Sequence, residues 1–280
     1  MGLEHQQLKS HCQEMVGEQV TLEQIPDSLL TKPSFGDPAG STWIYTNSDL
    51  CEAQIVIKLV ERLEDLKNKL LEMSSLVEAG IRQSISAVDQ KDRGAAEEVF
   101  KNEARINSIE LEIDGLVIEL LALHQPMAID LRFIIAVLRI NTNLERMGDL
   151  AVNIAHSAGA LIEVPTGTPV VDIPLLAGLV GSMVRKSMGA FVACDVELAR
   201  DVLASDDVVD NLRTDCFHQL VSFMESDREN IKPALSLLAV TRNLERLADH
   251  ATNIAEDVLF YAKGIDVRHN SGAGSHPGQH

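Results

Sequence analysis

The chain has 280 residues, of which 45% are hydrophobic and 24% charged, with 42 acidic against 24 basic side chains and a formal charge of −18. That length and apolar content can bury a sizeable core in one or two domains. The acidity, with 1 Trp, 2 Tyr and 7 Phe, disfavours phosphate-backbone contact and anionic lipid and favours divalent cations, so no nucleic-acid partner is expected.

Residues 1–49 read as an irregular N-terminal extension, because Pro26, Pro33, Gly36, Pro38 and Gly40 interrupt any periodicity. Glu4, His5, Gln6, Gln7 and Lys9 give the start no apolar run of a secretory kind. Runs such as 133–138 fall far short of the ~20 apolar residues that span a bilayer. Cys12, Cys51, Cys194 and Cys216 are scattered without C-x-x-C pairing, which suits a reducing compartment. The expectation is a cytoplasmic protein with no membrane span.

A helix is predicted from Leu50 to the region of Asp89, stopped by Asp92, Arg93 and Gly94, and a second from Ala95 to about His124. Pro126 breaks the pattern, since proline lacks an amide proton and pushes its predecessor out of the α region. The third helix runs from about Met127 to Ile162. Residues 164–171, which contain Pro165, Gly167 and Pro169, make the clearest linker. Three more helices follow, over Ile173–Cys194, Val196–Ser226 and Glu229–Lys263, with Gly264 as a C-cap and a Gly/Ser-rich tail from 266 to 280.

The third and sixth helices carry nearly the same sentence. Asn-Leu-Glu-Arg-Met-Gly-Asp-Leu-Ala-Val-Asn-Ile-Ala begins at Asn143, and Asn-Leu-Glu-Arg-Leu-Ala-Asp-His-Ala-Thr-Asn-Ile-Ala begins 100 positions later at Asn243. Glu145, Asp149 and Asn153, and again Glu245, Asp249 and Asn253, recur every four residues. Each trio therefore falls within an arc of roughly 80° on one helix face. Val137, Ile140, Leu144, Met147, Ala151 and Ile154 step by threes and fours instead, as do Leu244, Leu247, Ala251, Ile254 and Val258, the seam of a helix packed lengthwise. On a helical wheel the acidic stripe and the apolar seam are opposed. The repeat also reaches the preceding helix, where Glu103 and Asn107 correspond to Asp206 and Asp210.

The fold expected is all-α: two tandem, pseudo-symmetric three-helix bundles, spanning 50–163 and 172–265 and joined by 164–171. A single Glu-x-x-x-Asp-x-x-x-Asn face reads first as a solvated surface. Its duplication with identical residues favours an oxygen-ligand set, to which Asp206 and Asp210 can add. Carboxylate and amide oxygens suit hard cations such as Mg, Mn, Ca or Fe rather than a closed zinc site. Arg146 and Arg246 read as ion-paired with acidic neighbours, or as contacts for a partner or phosphate. His250 reads as a surface histidine that could alternatively join a metal shell.

An enzyme is not expected. Di-iron carboxylate bundles complete each metal with Glu-x-x-His pairs, which the two motif helices lack, and the chain has no Gly-rich phosphate loop and no Gly-x-Ser-x-Gly. The alternatives are a metal-dependent helical-bundle enzyme of the di-iron carboxylate type and a purely structural helical scaffold.

The duplicated Glu-Arg-x-x-Asp-x-x-x-Asn-Ile helix, the Gln-Pro-x-x-x-Asp-Leu-Arg run at 125–132 and the ending from Phe260 to His269 closely resemble the PhoU family over about residues 66–269. The resemblance implies a cytoplasmic negative regulator of phosphate uptake and phosphate-starvation signalling. Its implied partners are the ATPase subunit of the phosphate ABC transporter and the phosphate-sensing histidine kinase, and a homodimer is expected. It also implies metal ions, Fe, Mn, Mg or Zn, on the acidic faces at Glu145, Asp149, Asn153, Glu245, Asp249 and Asn253. Residues 1–49 have no counterpart in the resemblance.

Overall fold

A computed structural model describes residues 35–36, 43–44, 47–124, 126, 128–162 and 171–264. The expectations for most of 1–49, for 164–170 and for 266–280 lie outside the described residues. The elements are β1 (Phe35–Gly36), β2 (Trp43–Ile44), α1 (Asn47–Asp89), α2 (Arg93–His124), α3 (Ala128–Ile162), α4 (Ile173–Ala193), α5 (Val196–Ser226) and α6 (Ile231–Lys263). β1 and β2 pair antiparallel, Phe35 with Ile44 and Gly36 with Trp43; two-residue strands are too short to leave an alternating pattern in sequence. The described residues fall into two compact units, one holding those up to Asp65 and those of Leu120–Gln125, the other Leu66–Glu119 and those from Pro126 onward. The motif faces, the last four helices and the greater part of α1 and α2 belong to the second.

The helix ends follow local chemistry. Asp92 Oδ1 accepts from the backbone N–H groups of Gly94 and Ala95 at the start of α2. Asp172 accepts from Leu175 N–H and Asp195 from Glu197 and Leu198 N–H, satisfying donors that the first turn leaves open. Gly264, at φ 67°, closes α6 as anticipated, with its N–H on Phe260 O at 2.8 Å. A Cβ there would come within 2.9 Å of Arg132 Nη1. The last helix departs slightly from expectation: Arg228–Asn230 form a 3-10 turn and the α-helix begins at Ile231. Pro233 supplies no N–H for the Glu229 carbonyl, so the α pattern cannot reach back to Glu229.

In the first half, α1, α2 and α3 pack together. Gly80 of α1 faces Ala151 of α3, and Gly148 of α3 faces the Ile106 side chain of α2, 3.1 Å from where a Cβ would stand. Asn141 of α3 donates to Glu110 O and to Asp114 Oδ1 of α2, both at 3.2 Å. Arg105 bonds Glu72 at 2.7 Å on the outer side of α1 and α2. In the second half α5 and α4 pack on α6 and on each other, and α3 packs along α6 to join the halves. Both apolar seams are buried as their spacing requires, Leu144, Met147, Leu244 and Leu247 completely.

Among the described residues, α4 is the one helix long and apolar enough to cross a membrane, and 50% of that stretch is buried. Ile173, Leu176, Val180, Met183, Val184 and Phe191 form its buried face, so it packs as a core helix.

Candidate functional site

The acidic trios stand where the helical wheel puts them. Opposite the buried seam of α3, Asp149 and Asn153 are exposed and Glu145 is half-buried, and on α6 Asp249, Asn253 and Glu245 repeat that arrangement. The preceding helix supplies further carboxylates to each face. Burial raises Glu145 above the usual carboxylate range, and Asp149, Glu110 and Glu103 raise it further against the opposing pull of Arg146. Glu110 is raised by burial and then by Asp114 and Asp149.

On the second face Asp206 is raised by burial and by Asp210, Asp249, Asp207 and Glu245. Asp249 is raised by burial and by Asp210, with Arg246 opposing. The two helices of each half thus bring together the residues singled out from sequence, Glu145 with Asp149, and Asp206 and Asp210 with Glu245 and Asp249. Glu110, Glu145, Asp206 and Asp249 resist ionising because they are partly withdrawn from water and then because like charges surround them, and a bound cation relieves the second of these. Among the described residues no three His, Cys, Asp or Glu side chains converge tightly enough to form a ready-made metal site. The donor set nonetheless fits a hard cation, with oxygens only and excess negative charge.

The two faces are not equivalent. Arg213 of α5 pairs with Glu245 at 3.3 Å. At the matching position of α2, by the alignment that sets Glu103 against Asp206, stands Glu110. The first face therefore has an additional carboxylate where the second has a guanidinium holding its glutamate. Both residues lie outside the motif helices, where the repeated sentence gives no signal.

His250 corrects the expectation of a surface histidine. It is buried, 9% exposed, at the contact of α6 with α3. Asn143 spends its amide on the Arg139 carbonyl at 2.9 Å, so its Oδ1 is the acceptor and His250 Nδ1 donates to it at 2.9 Å. Burial and then the positive charges of Arg146 and Arg246 lower the His250 pKa to about 4. The imidazole is a neutral interhelical link, not a free ligand. Arg146 and Arg246 are exposed, and among the described residues neither closes an ion pair, contrary to the first expectation for them. Instead Arg139 pairs with the buried Asp257 at 3.2 Å between α3 and α6, and Phe133, Phe191 and Tyr261 cluster where α3, α4 and α6 meet.

The PhoU domain model matches the chain twice, over residues 70–158 and 173–258. The phosphate-specific transport system accessory protein PhoU homolog of Pseudomonas aeruginosa is 35% identical over 226 residues, 80% of this chain and 93% of that protein. The same-named protein of Aquifex aeolicus is 38% identical over 213 residues, 76% of this chain and 96% of the relative. The crystal structure of PhoU from Pseudomonas aeruginosa superposes with a TM-score of 0.71 at 34% identity, covering 73% of this chain and 99% of that one. The phosphate transport system regulatory protein PhoU from Streptococcus pneumoniae superposes with a TM-score of 0.69 at 26% identity, covering 75% and 99%.

Proposed function

The chain belongs to the PhoU family, and from that premise we propose that it is a cytoplasmic regulator of phosphate-specific transport. It holds down phosphate uptake and phosphate-starvation signalling by contacting the ATPase subunit of the phosphate ABC transporter and the phosphate-sensing histidine kinase. The names of its relatives, accessory and regulatory proteins of phosphate transport, support the broad role. The observation that carries the site is the duplicated acidic face, presented outward on two helices whose other sides form the core.

Divalent metal on those faces is part of the proposal. Glu145, Asp149 and Asn153, with Glu110 and Glu103 beside them, would hold a cation on the first face. Glu245, Asp249, Asn253, Asp206 and Asp210 would hold one on the second. A bound cation supplies positive charge, which removes the repulsion among these acids and tightens the contact between each motif helix and its neighbour. The protein works by presenting surfaces to partners, as a homodimer, and not by catalysis.

Deleting the gene tests the regulator reading. Phosphate-starvation genes are expected to stay active in a deletion strain grown in abundant phosphate, and to be repressed again when the chain is supplied in trans. Normal repression in the deletion strain, with no second copy of the gene present, would contradict the proposal.

A further inference from the structure

The alignment that sets Glu103 against Asp206 also sets Ile106, Ile113 and Val117 of α2 against Val209, Cys216 and Leu220 of α5, and all of these are buried. In that register the two acidic faces agree at one end and part at the other. Glu103 answers to Asp206 and Asn107 to Asp210, and the motif trios are identical. Toward the start of each motif helix the first half has Glu110, Asp114 and Asn141, where the second has Arg213, Phe217 and Thr241.

The first half leaves acceptors without donors at that end. Asn141, 1% exposed, extends the four-residue step of Glu145, Asp149 and Asn153 back by one turn of α3. Its amide nitrogen donates to Glu110 O and Asp114 Oδ1, which fixes its Oδ1 as the remaining acceptor, buried and without a hydrogen bond. Asn107 Oδ1, one turn before Glu110 on α2, is likewise buried without a hydrogen bond. Among the described residues no lysine or arginine closes an ion pair with Glu110, Asp114, Glu145 or Asp149. Buried amide oxygens beside carboxylates that lack a counter-charge are what a hard cation satisfies. Among the described residues the second half shows neither feature. Thr241 donates its hydroxyl to Leu238 O at 3.0 Å, and the Arg213 guanidinium lies on Glu245 at 3.3 Å, the two side chains 40% and 25% exposed.

We propose that Arg213 is the resident cation of the second face, so that the two faces take metal in order, the first ahead of the second. The guanidinium supplies the positive charge that Glu245 needs and is tethered beside it, so an incoming ion has to displace it before Glu245 can become a ligand. On the first face no side chain has to be displaced, and the Asn107 and Asn141 oxygens add to the carboxylates. Phe217 in place of Asp114 removes one more oxygen donor from the second face. At intermediate metal the first half is charge-neutralised while the second is unchanged, which makes two unlike surfaces of a duplicated one.

The inference rests on the metal-binding part of the reading above and concerns how the two faces share metal. The test titrates the full chain with Mn(II) alone, reading free ion by electron paramagnetic resonance, in wild type and in Asp149→Ala and Asp249→Ala, each of which leaves one face intact. Helix content is checked by circular dichroism. Wild type is expected to show a tight and a weak class, Asp249→Ala to keep the tight one and Asp149→Ala the weak one. In the Asp149→Ala background, Arg213→Gln is expected to tighten the remaining class by at least about tenfold, while Arg213→Lys, which keeps the charge, leaves it weak. The reciprocal exchange, Glu110→Arg in the Asp249→Ala background, is expected to weaken the tight class to a similar degree. Equal classes in wild type, a tight class surviving Asp149→Ala, or indifference to Arg213→Gln would overturn the proposal with metal binding intact. A wild type that binds no Mn(II) would overturn the metal reading and this inference with it.

Discussion

His250 and its neighbour Asp249 show how little separation along the chain decides a residue's role. One position apart, Asp249 faces solvent among carboxylates while His250 is buried against Asn143. The helical wheel places Asp249 opposite the apolar seam, so it was legible in sequence. The burial of His250 depends on α3 lying along α6, which no spacing within a single helix encodes. Its folded pKa of about 4 lies below the ordinary 6.5, so the unfolded chain takes up the proton first on acidification. Its contribution to stability is fully present above pH 6.5 and is lost as pH falls toward 4, roughly 3 kcal/mol at most. The raised acids run the opposite way, weighing against the apo fold at neutral pH and ceasing to do so once protonated. Urea unfolding at pH 7 and pH 4.5 is therefore expected to show a smaller loss in His250→Leu than in wild type, and equal losses would remove the histidine from this account.

The acids carry a second residue-scale prediction. Apo protein is expected to gain melting temperature on adding Mn, Mg or Fe, and Asp149→Ala/Asp249→Ala is expected to lose that gain while keeping its helix content. Arg213→Ala frees Glu245 and is expected to bring the second face closer to the first in affinity, read by metal titration of single-face variants. Equal metal-induced shifts in wild type and the double variant would return both stripes to the status of solvated surface.

At the scale of elements, the helices were readable because their seams follow the 3.5-residue spacing and because Pro126 and Gly264 mark real boundaries. The 3-10 turn at Arg228–Asn230 was not, since it arises from the missing N–H of Pro233 acting four residues back. Leu144 and Leu244 are each fully buried, and replacing either by Ala is expected to cost roughly 2–5 kcal/mol. At Gly148, already tight against Ile106, a Leu is expected to cost roughly 1–3 kcal/mol by overpacking α3 on α2. Asp149→Ala, on the opposite side of α3, is expected to leave apo stability nearly unchanged. Denaturant titration ranks these variants, and a Leu144→Ala no less stable than Asp149→Ala would refute the assignment of core and ligand faces.

For the whole molecule, duplication was the most legible feature: a sentence repeated at a fixed offset carried both the tandem architecture and the paired acidic faces. The joining of the halves was not legible. It rests on Arg139 with Asp257, Asn143 with His250, and the cluster of Phe133, Phe191 and Tyr261, contacts that break the internal repeat. The acidic faces of its two motif helices, turned away from the core, leave surface for the partner contacts proposed above. The most direct test is capture of the full chain from cells of its own organism grown in abundant phosphate, with bound proteins identified by mass spectrometry. The account predicts recovery of the phosphate transporter's ATPase subunit or the phosphate-sensing kinase, and recovery of neither from intact, folded bait would contradict it.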